Sequence, residues 1–309
     1  MSPKPERAFG SDPECLGILI VRDLPPSYAA YRRRLLTLAY KFAKLDENIR
    51  EQYTDASSSY SFGWSHGKEI MNGKPDLLKG SYYANPLIDR PSVSSQQRKE
   101  WPEYYAQNIW PKPDEKGVEG FEEAFKDLGK RWLFTSSSMP AIRALSVFGC
   151  FDVTAEVDQH LANYEAEDEP VDSWCGFHLD HSLLTGLCSA MYLSSGDDDF
   201  SEPIEVQSPS KSSGLYIRTR GGKLTKVSVP EDSLAFQTGE ALEIATGGKL
   251  RATPHCVRVG SGVADPSKIS RETFALFMQP DTNQLLSPSV TFGQFSRGVF
   301  NEHYERISD

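Results

Sequence analysis

The sequence predicts an α+β, mainly β fold, in which helices come first and a sandwich or jelly roll of short strands follows. Two observations carry this. Before residue 150, apolar residues recur at spacings of three and four, at Tyr28, Tyr31, Leu35, Leu38, Phe42 and Leu45, and again at Phe121, Phe125, Leu128 and Trp132. After about Phe151, short apolar runs at 183–193, 214–220, 223–230, 233–239 and 271–280 alternate with Gly, Pro, Ser and Asp turns. Many short strands after a block of helices suit a layered β architecture with segregated helices.

A chain of 309 residues is long enough for one large domain or two smaller ones. The expected division is an N-terminal strand and helical region, 1–150, packing on a core, 151–309, as one structural unit. Hydrophobic content of 39% and charged content of 25% are those of an ordinary soluble globular protein. The formal charge of −10 argues against a nucleic-acid surface, which needs a basic face to neutralise phosphates. Five scattered cysteines without a CxxC pair read as reduced thiols. The opening MSPKPERAFG lacks an apolar signal core, and no run of about 18 apolar residues occurs. A cytoplasmic monomer, with neither membrane nor nucleic-acid partners, is therefore expected.

Taken in order, residues 1–14 are polar and read as a loose leader. Cys15 to Leu24 is a buried strand bounded by prolines. A helix opens at Ser27, with Arg32, Arg33 and Arg34 mostly off its apolar stripe and so on a solvated face. From 55 to 86, glycines punctuate a segment rich in aromatics, which predicts an ordered loop that covers something. Trp64, His66, Lys68 and Tyr82 are its candidates for a substrate pocket, joined by Phe177. Lys68, Lys79 and Arg90 are candidate anchors for a carboxylated substrate. Residues 87–117 support no assignment. A helix is expected over 118–134, a second after Pro140, and one or two short ones within 291–307.

Chemistry concentrates at His178-Leu179-Asp180. On a strand, residues two apart share a face, so both side chains can reach one point. A neutral imidazole and a carboxylate suit a divalent metal such as iron(II), which needs a further ligand. His255, 77 residues on and flanked by β-type sequence, is the candidate. Two His and one carboxylate on one octahedral face leave three positions open for a chelating co-substrate, dioxygen or water. Arg271 and Thr273, also two apart, offer a guanidinium fork and a hydroxyl to a carboxylate. His181, next to the box, should point away from it.

With these residues in place, the chain resembles the iron(II)/2-oxoglutarate-dependent oxygenases of the isopenicillin N synthase-like type. The box followed by Ser182-Leu183-Leu184-Thr185 is similar to that family's pattern. So are residues 214–259, the RETFALFMQP stretch and the opening strand and helix. The resemblance implies a double-stranded β-helix (jelly-roll) core with flanking N-terminal helices. It implies catalytic iron(II) on His178, Asp180 and His255, and 2-oxoglutarate held by Arg271, Thr273 and Asn163. Dioxygen is then the other co-substrate, with ascorbate an accessory reductant. The implied reaction oxidises an unactivated C–H bond of a small molecule by hydroxylation, desaturation or ring closure, as 2-oxoglutarate is decarboxylated to succinate. The family's usual Tyr two residues after Asn163 is here Glu165. That keeps open an iron oxidase of the same fold that does not use 2-oxoglutarate. A non-catalytic binding or sensing module is a third reading.

Overall fold

The computed structural model describes residues 8–71, 74–134, 143–151, 173–194, 202–258 and 269–303. Its principal strands are β1 (Ile18–Val21), β2 (Gly63–His66), β3 (Gly80–Ala84), β4 (Arg143–Phe151), β5 (Ser173–His178), β6 (Leu184–Cys188) and β7 (Met191–Ser194). They continue with β8 (Ile204–Val206), β9 (Gly214–Arg218), β10 (Leu224–Lys226), β11 (Leu234–Thr238), β12 (His255–Arg258) and β13 (Ile269–Gln279). The long helices are α1 (Ser27–Ala43), α2 (Phe121–Phe134) and α3 (Phe292–His303).

Among the described residues, nine strands form one antiparallel sheet, running β1-β11-β6-β13-β4-β3-β2 with β7 on β13 and β8 on β7. Four more form a second sheet, β10-β9-β12-β5. Ile18 and Ala235 of the large sheet pack with Cys175, Leu215, Ile217 and Val257 of the small one. The two sheets therefore face each other, the arrangement of a jelly roll.

β13 shows how the sequence writes this layering. Its residues alternate between faces. Arg271, Thr273, Ala275 and Phe277 line the cavity between the sheets. Phe274 and Leu276 point the other way, into the core that α1 and α2 close with Leu35, Phe42, Phe121, Phe125 and Leu128. The Phe125 and Phe274 rings meet edge to face at 5.4 Å. Each such side chain, fully buried, contributes about 1.5–3 kcal/mol.

Several expectations change. The helix after Pro140 is instead strand β4, which pairs with β13 from Arg271↔Phe151 to Gln279↔Arg143. Nine residue pairs of long-range ladder outweigh a local proline signal. The division at residue 150 thus falls inside a core strand, and β1 to β4 build the large sheet along with later strands. The 55–86 segment is less loop than expected, because β2 and β3 pair at the sheet's edge. Arg32 is 4% exposed, not solvated. It donates from Nε to the Ser189 carbonyl at 2.8 Å and from Nη2 to that of Ala190 at 2.9 Å, closing the β6–β7 turn. The described part of the leader is tied down, with Phe9 buried and the Gly10 carbonyl accepting from Arg220.

Candidate active site

β5 and β12 pair so that His178 stands directly opposite His255. The next partners are Cys175 and Val257, so β5 carries one extra residue between them. This bulge re-aims the strand and puts Cys175 and His178, three apart, on the cavity side. β5 ends at His178, so Asp180 sits in the following turn and not on the strand that simple alternation assumes. That turn is fixed by backbone. The Asp180 carbonyl accepts from Glu240 N–H at 2.8 Å, and Gly239 N–H donates to the Leu183 carbonyl at 3.1 Å. A Cβ on Gly239 would meet the Ser182 and Asp180 carbonyl oxygens at 2.2 and 2.7 Å, so only glycine permits the approach.

The three side chains converge. Asp180 Oδ1 lies 3.8 Å from His178 Nε2 and 3.7 Å from His255 Nε2. One ligand atom from each residue falls within 4.8 Å of the other two. Both Asp180–His separations are below twice a metal–ligand bond of about 2.1 Å, so one cation can reach the carboxylate and either imidazole. The imidazoles are turned for this. His178 Nδ1 donates to the Gly176 carbonyl at 2.8 Å and His255 Nδ1 to that of Thr253 at 3.0 Å, which leaves the Nε2 lone pairs inward.

Electrostatics hold His255 and Asp180 in ligand form. Burial and then His178 push His255 down to about 4, so its imidazole is neutral at physiological pH. Burial alone would raise Asp180. His255, His178, Thr185 and Gln237 outweigh it and hold the carboxyl below the usual range. Thr185 Oγ1 donates to Asp180 Oδ2 at 2.6 Å and Gln237 Nε2 to the same oxygen at 2.8 Å.

The cavity beside these groups has a volume of about 280 Å³. Arg271 and Thr273 line it, and Arg271 stands opposite Tyr192 in the ladder. Leu187, Leu215, Val257, Ala275 and Phe277 supply apolar wall.

The expected substrate residues lie elsewhere. Trp64 and Tyr82 are buried in the hydrophobic core, with Phe42 against both rings at 5.4 and 5.0 Å. An aromatic-rich segment at a sheet edge packs inward to bury area. His66 Nε2 reaches the Leu77 carbonyl at 3.0 Å, outside the cavity. Lys68 pairs with Glu51 at 3.5 Å. Phe177 lies outside the cavity lining, under the Arg218 guanidinium at 5.3 Å. Asn163 and Glu165 lie outside the described residues. His181 does point away, meeting Tyr104 and Gln279 at 3.3 and 3.1 Å.

The sequence reading missed Thr185, Gln237 and Tyr192. Gln237 had a signal. It shares a face with Ala235 in an apolar strand, and a buried glutamine at such a position calls for a polar partner.

Comparisons place the fold among known structures. No family model matches the chain. The UPF0676 protein C1494.01 of Schizosaccharomyces pombe is 34% identical over a match covering 26% of each chain, about a quarter of that protein's length. A full-length Neurospora crassa protein solved in complex with alpha-KG is 14% identical, with a TM-score of 0.60 over 87% of this chain and 77% of that one. A putative 2OG-Fe(II) oxygenase family protein from Caulobacter crescentus is 16% identical, with a TM-score of 0.60 over 95% and 92%. JOX2 in complex with 2OG, Fe and JA is 14% identical, with a TM-score of 0.57 over 92% and 78%. The chain shares the jelly-roll fold of these solved structures, among them the putative 2OG-Fe(II) oxygenase family protein.

Proposed function

We propose that the protein is a non-haem iron(II)/2-oxoglutarate-dependent oxygenase that oxidises an unactivated C–H bond of a small molecule. The observation that carries this is the convergence of His178, Asp180 and His255 in the wall of a cavity also lined by Arg271 and Thr273. Two neutral imidazoles and one carboxylate are the donor set suited to non-haem iron(II). The solved structures of the Neurospora crassa protein, which holds alpha-KG, and of JOX2, which holds 2OG and Fe, support the same reading.

In this reading, His178, Asp180 and His255 hold the iron, which supplies dioxygen activation coupled to decarboxylation of 2-oxoglutarate to succinate. The chain's own part is positioning. Carbonyl partners on both Nδ1 atoms keep the imidazoles in one tautomer and one orientation. The Arg271 guanidinium, with Thr273 two residues on, grips the far carboxylate of the co-substrate. Leu187, Val257, Ala275 and Phe277 keep water from the reacting groups. Hydroxylation, desaturation and ring closure are all compatible outcomes. No helix of the described residues is long and apolar enough to cross a membrane. Among the described residues, Cys175, Cys188 and Cys256 are reduced thiols, which supports a reducing, cytoplasmic setting.

The test is anaerobic titration with iron(II) and then 2-oxoglutarate, followed by visible absorption. Bidentate keto-acid chelation gives a weak charge-transfer band at roughly 500 nm. Iron uptake by the wild type, its loss in His255→Ala and Asp180→Ala, and the appearance of the band are the expected results. Iron binding without the band would move the assignment to an oxidase that does not use 2-oxoglutarate. Stoichiometric iron in either variant would sink the ligand assignment.

A further inference from the structure

Lys79 is the one candidate anchor of the 55–90 segment that reaches the cavity. Lys68 is taken by Glu51, and Arg90 is exposed outside the lining. The Lys79 side chain is only 15% exposed, yet it lines the cavity beside Ser81, Cys175 and His178. Burial works against its charge, but Glu69, then Cys175, Tyr83 and Asp76, keep the ammonium well above its ordinary pKa. It is therefore a charged group at physiological pH.

The pairing with Glu69 is directional. Glu69 Oε2 bonds the ammonium, yet Glu69 is not among the cavity-lining residues, whereas Lys79 is. The carboxylate thus holds the lysine from behind the wall. An ammonium carries three donors, and Glu69 is its only hydrogen-bond partner among the described residues. Ser81, 1% exposed, adds a hydroxyl to the same wall.

Charge balance then narrows the ligand. Among the described residues, the Lys and Arg side chains that line the cavity are Lys79, Lys226 and Arg271. Arg271 is allotted to the co-substrate. Lys226 is exposed at the rim and donates to the Lys211 carbonyl at 2.6 Å. Lys79 is the remaining interior cation, held by Glu69 from outside the lining. Glu69 already balances its charge, but one carboxylate engages only part of an ammonium's three donors, and a ligand carboxylate in the cavity would complete the shell. The volume, about 280 Å³, lies at or below the ~300–1,000 Å³ range of ligand pockets and is shared with the co-substrate.

We propose that the oxidised substrate is a small carboxylic acid whose carboxylate binds the Lys79 ammonium from the cavity side. This rests on the reading above in that Arg271 is occupied by 2-oxoglutarate.

The test uses full-length protein loaded anaerobically with iron(II) and saturating 2-oxoglutarate. Calorimetric titration compares benzoate, phenylacetate, 3-phenylpropionate and hexanoate with their uncharged amides. At least one acid should bind tenfold or more tightly than its amide, with the charge-transfer band undiminished. That preference should vanish in Lys79→Met and partly survive in Lys79→Arg. Because Lys79→Met strands the Glu69 carboxylate, Lys79→Met/Glu69→Gln serves as the folded control and should show the same loss. The inference is overturned if no acid outbinds its amide tenfold, if an acid binds by displacing 2-oxoglutarate, or if the preference persists in both Met variants. Absence of the band with a Lys79-dependent preference intact would sink the oxygenase reading and leave the anchor standing.

Discussion

The Thr185 hydroxyl donates to Asp180 Oδ2 across 2.6 Å. Gln237 Nε2 meets the same oxygen at 2.8 Å. Both donors occupy Oδ2, while Oδ1 is the oxygen nearest both histidines. The carboxylate is thereby oriented to present Oδ1 to the two histidines, so a metal bound there would meet a single oxygen.

The first prediction follows from that orientation. Thr185→Val and Gln237→Leu should each weaken iron(II) binding by about 10–100-fold, the usual cost of losing a partner that orients a ligand. Chelator competition measures this, and far-UV circular dichroism should be unchanged. Wild-type affinity in both variants would mean that the two bonds serve packing alone.

A second prediction concerns acid. His255 sits at about 4 in the folded chain, pushed down by burial and by His178, against an ordinary value of about 6.5. Between those values the unfolded chain binds the proton more readily. Its contribution to stability is therefore complete above pH 6.5 and is lost as pH falls towards 4. The Tm of metal-free protein should drop across this window, and His255→Gln should flatten the drop. Iron(II), which binds only neutral imidazole, should protect the wild type and not the variant.

The difference between what was legible and what was not is physical. Local patterns located α1, α2 and the strands β6, β7, β9, β10, β11 and β13, because each has a period that matches its structure. The candidate metal donors were legible because their residue types are rare and their spacing is tight. β4 was not, since its pairing partner β13 lies about 120 residues on and nothing local announces it. Asp180 was brought to the histidines for an incomplete reason. The turn held by Gly239 and Glu240, and not strand alternation, carries it there. Arg32 was misjudged because its partners are backbone carbonyls of a distant turn, which no side-chain pattern records.

Arg271 supports a third prediction. It lines the cavity two residues before Thr273 and across the ladder from Tyr192. Arg271→Ala should abolish the keto-acid band while leaving iron(II) binding unchanged. Arg271→Lys should restore little of it, because a point ammonium lacks the fork that grips both carboxylate oxygens. Full recovery with lysine would mean that net charge, not geometry, selects the co-substrate.

The last prediction separates packing from recognition in the 55–86 segment. Trp64 is 2% exposed and Tyr82 1%. Trp64 packs on Phe42 and also against Gly80, where a Cβ would meet the indole at 2.2 Å. Tyr82 donates from its hydroxyl to the Ile109 carbonyl at 2.6 Å and stacks on Trp110 at 6.3 Å. Both rings therefore join α1 and α2 to the sheet on the face opposite the cavity. Trp64→Ala should cost about 3–5 kcal/mol in urea unfolding, as removing a large core ring does. Tyr82→Phe should cost about 1–3 kcal/mol, because it leaves the Ile109 carbonyl without its partner. Iron(II) and 2-oxoglutarate affinities should match the wild type at temperatures where the variants remain folded. A Trp64→Ala protein with unchanged stability and altered ligand binding would return this ring to the substrate pocket.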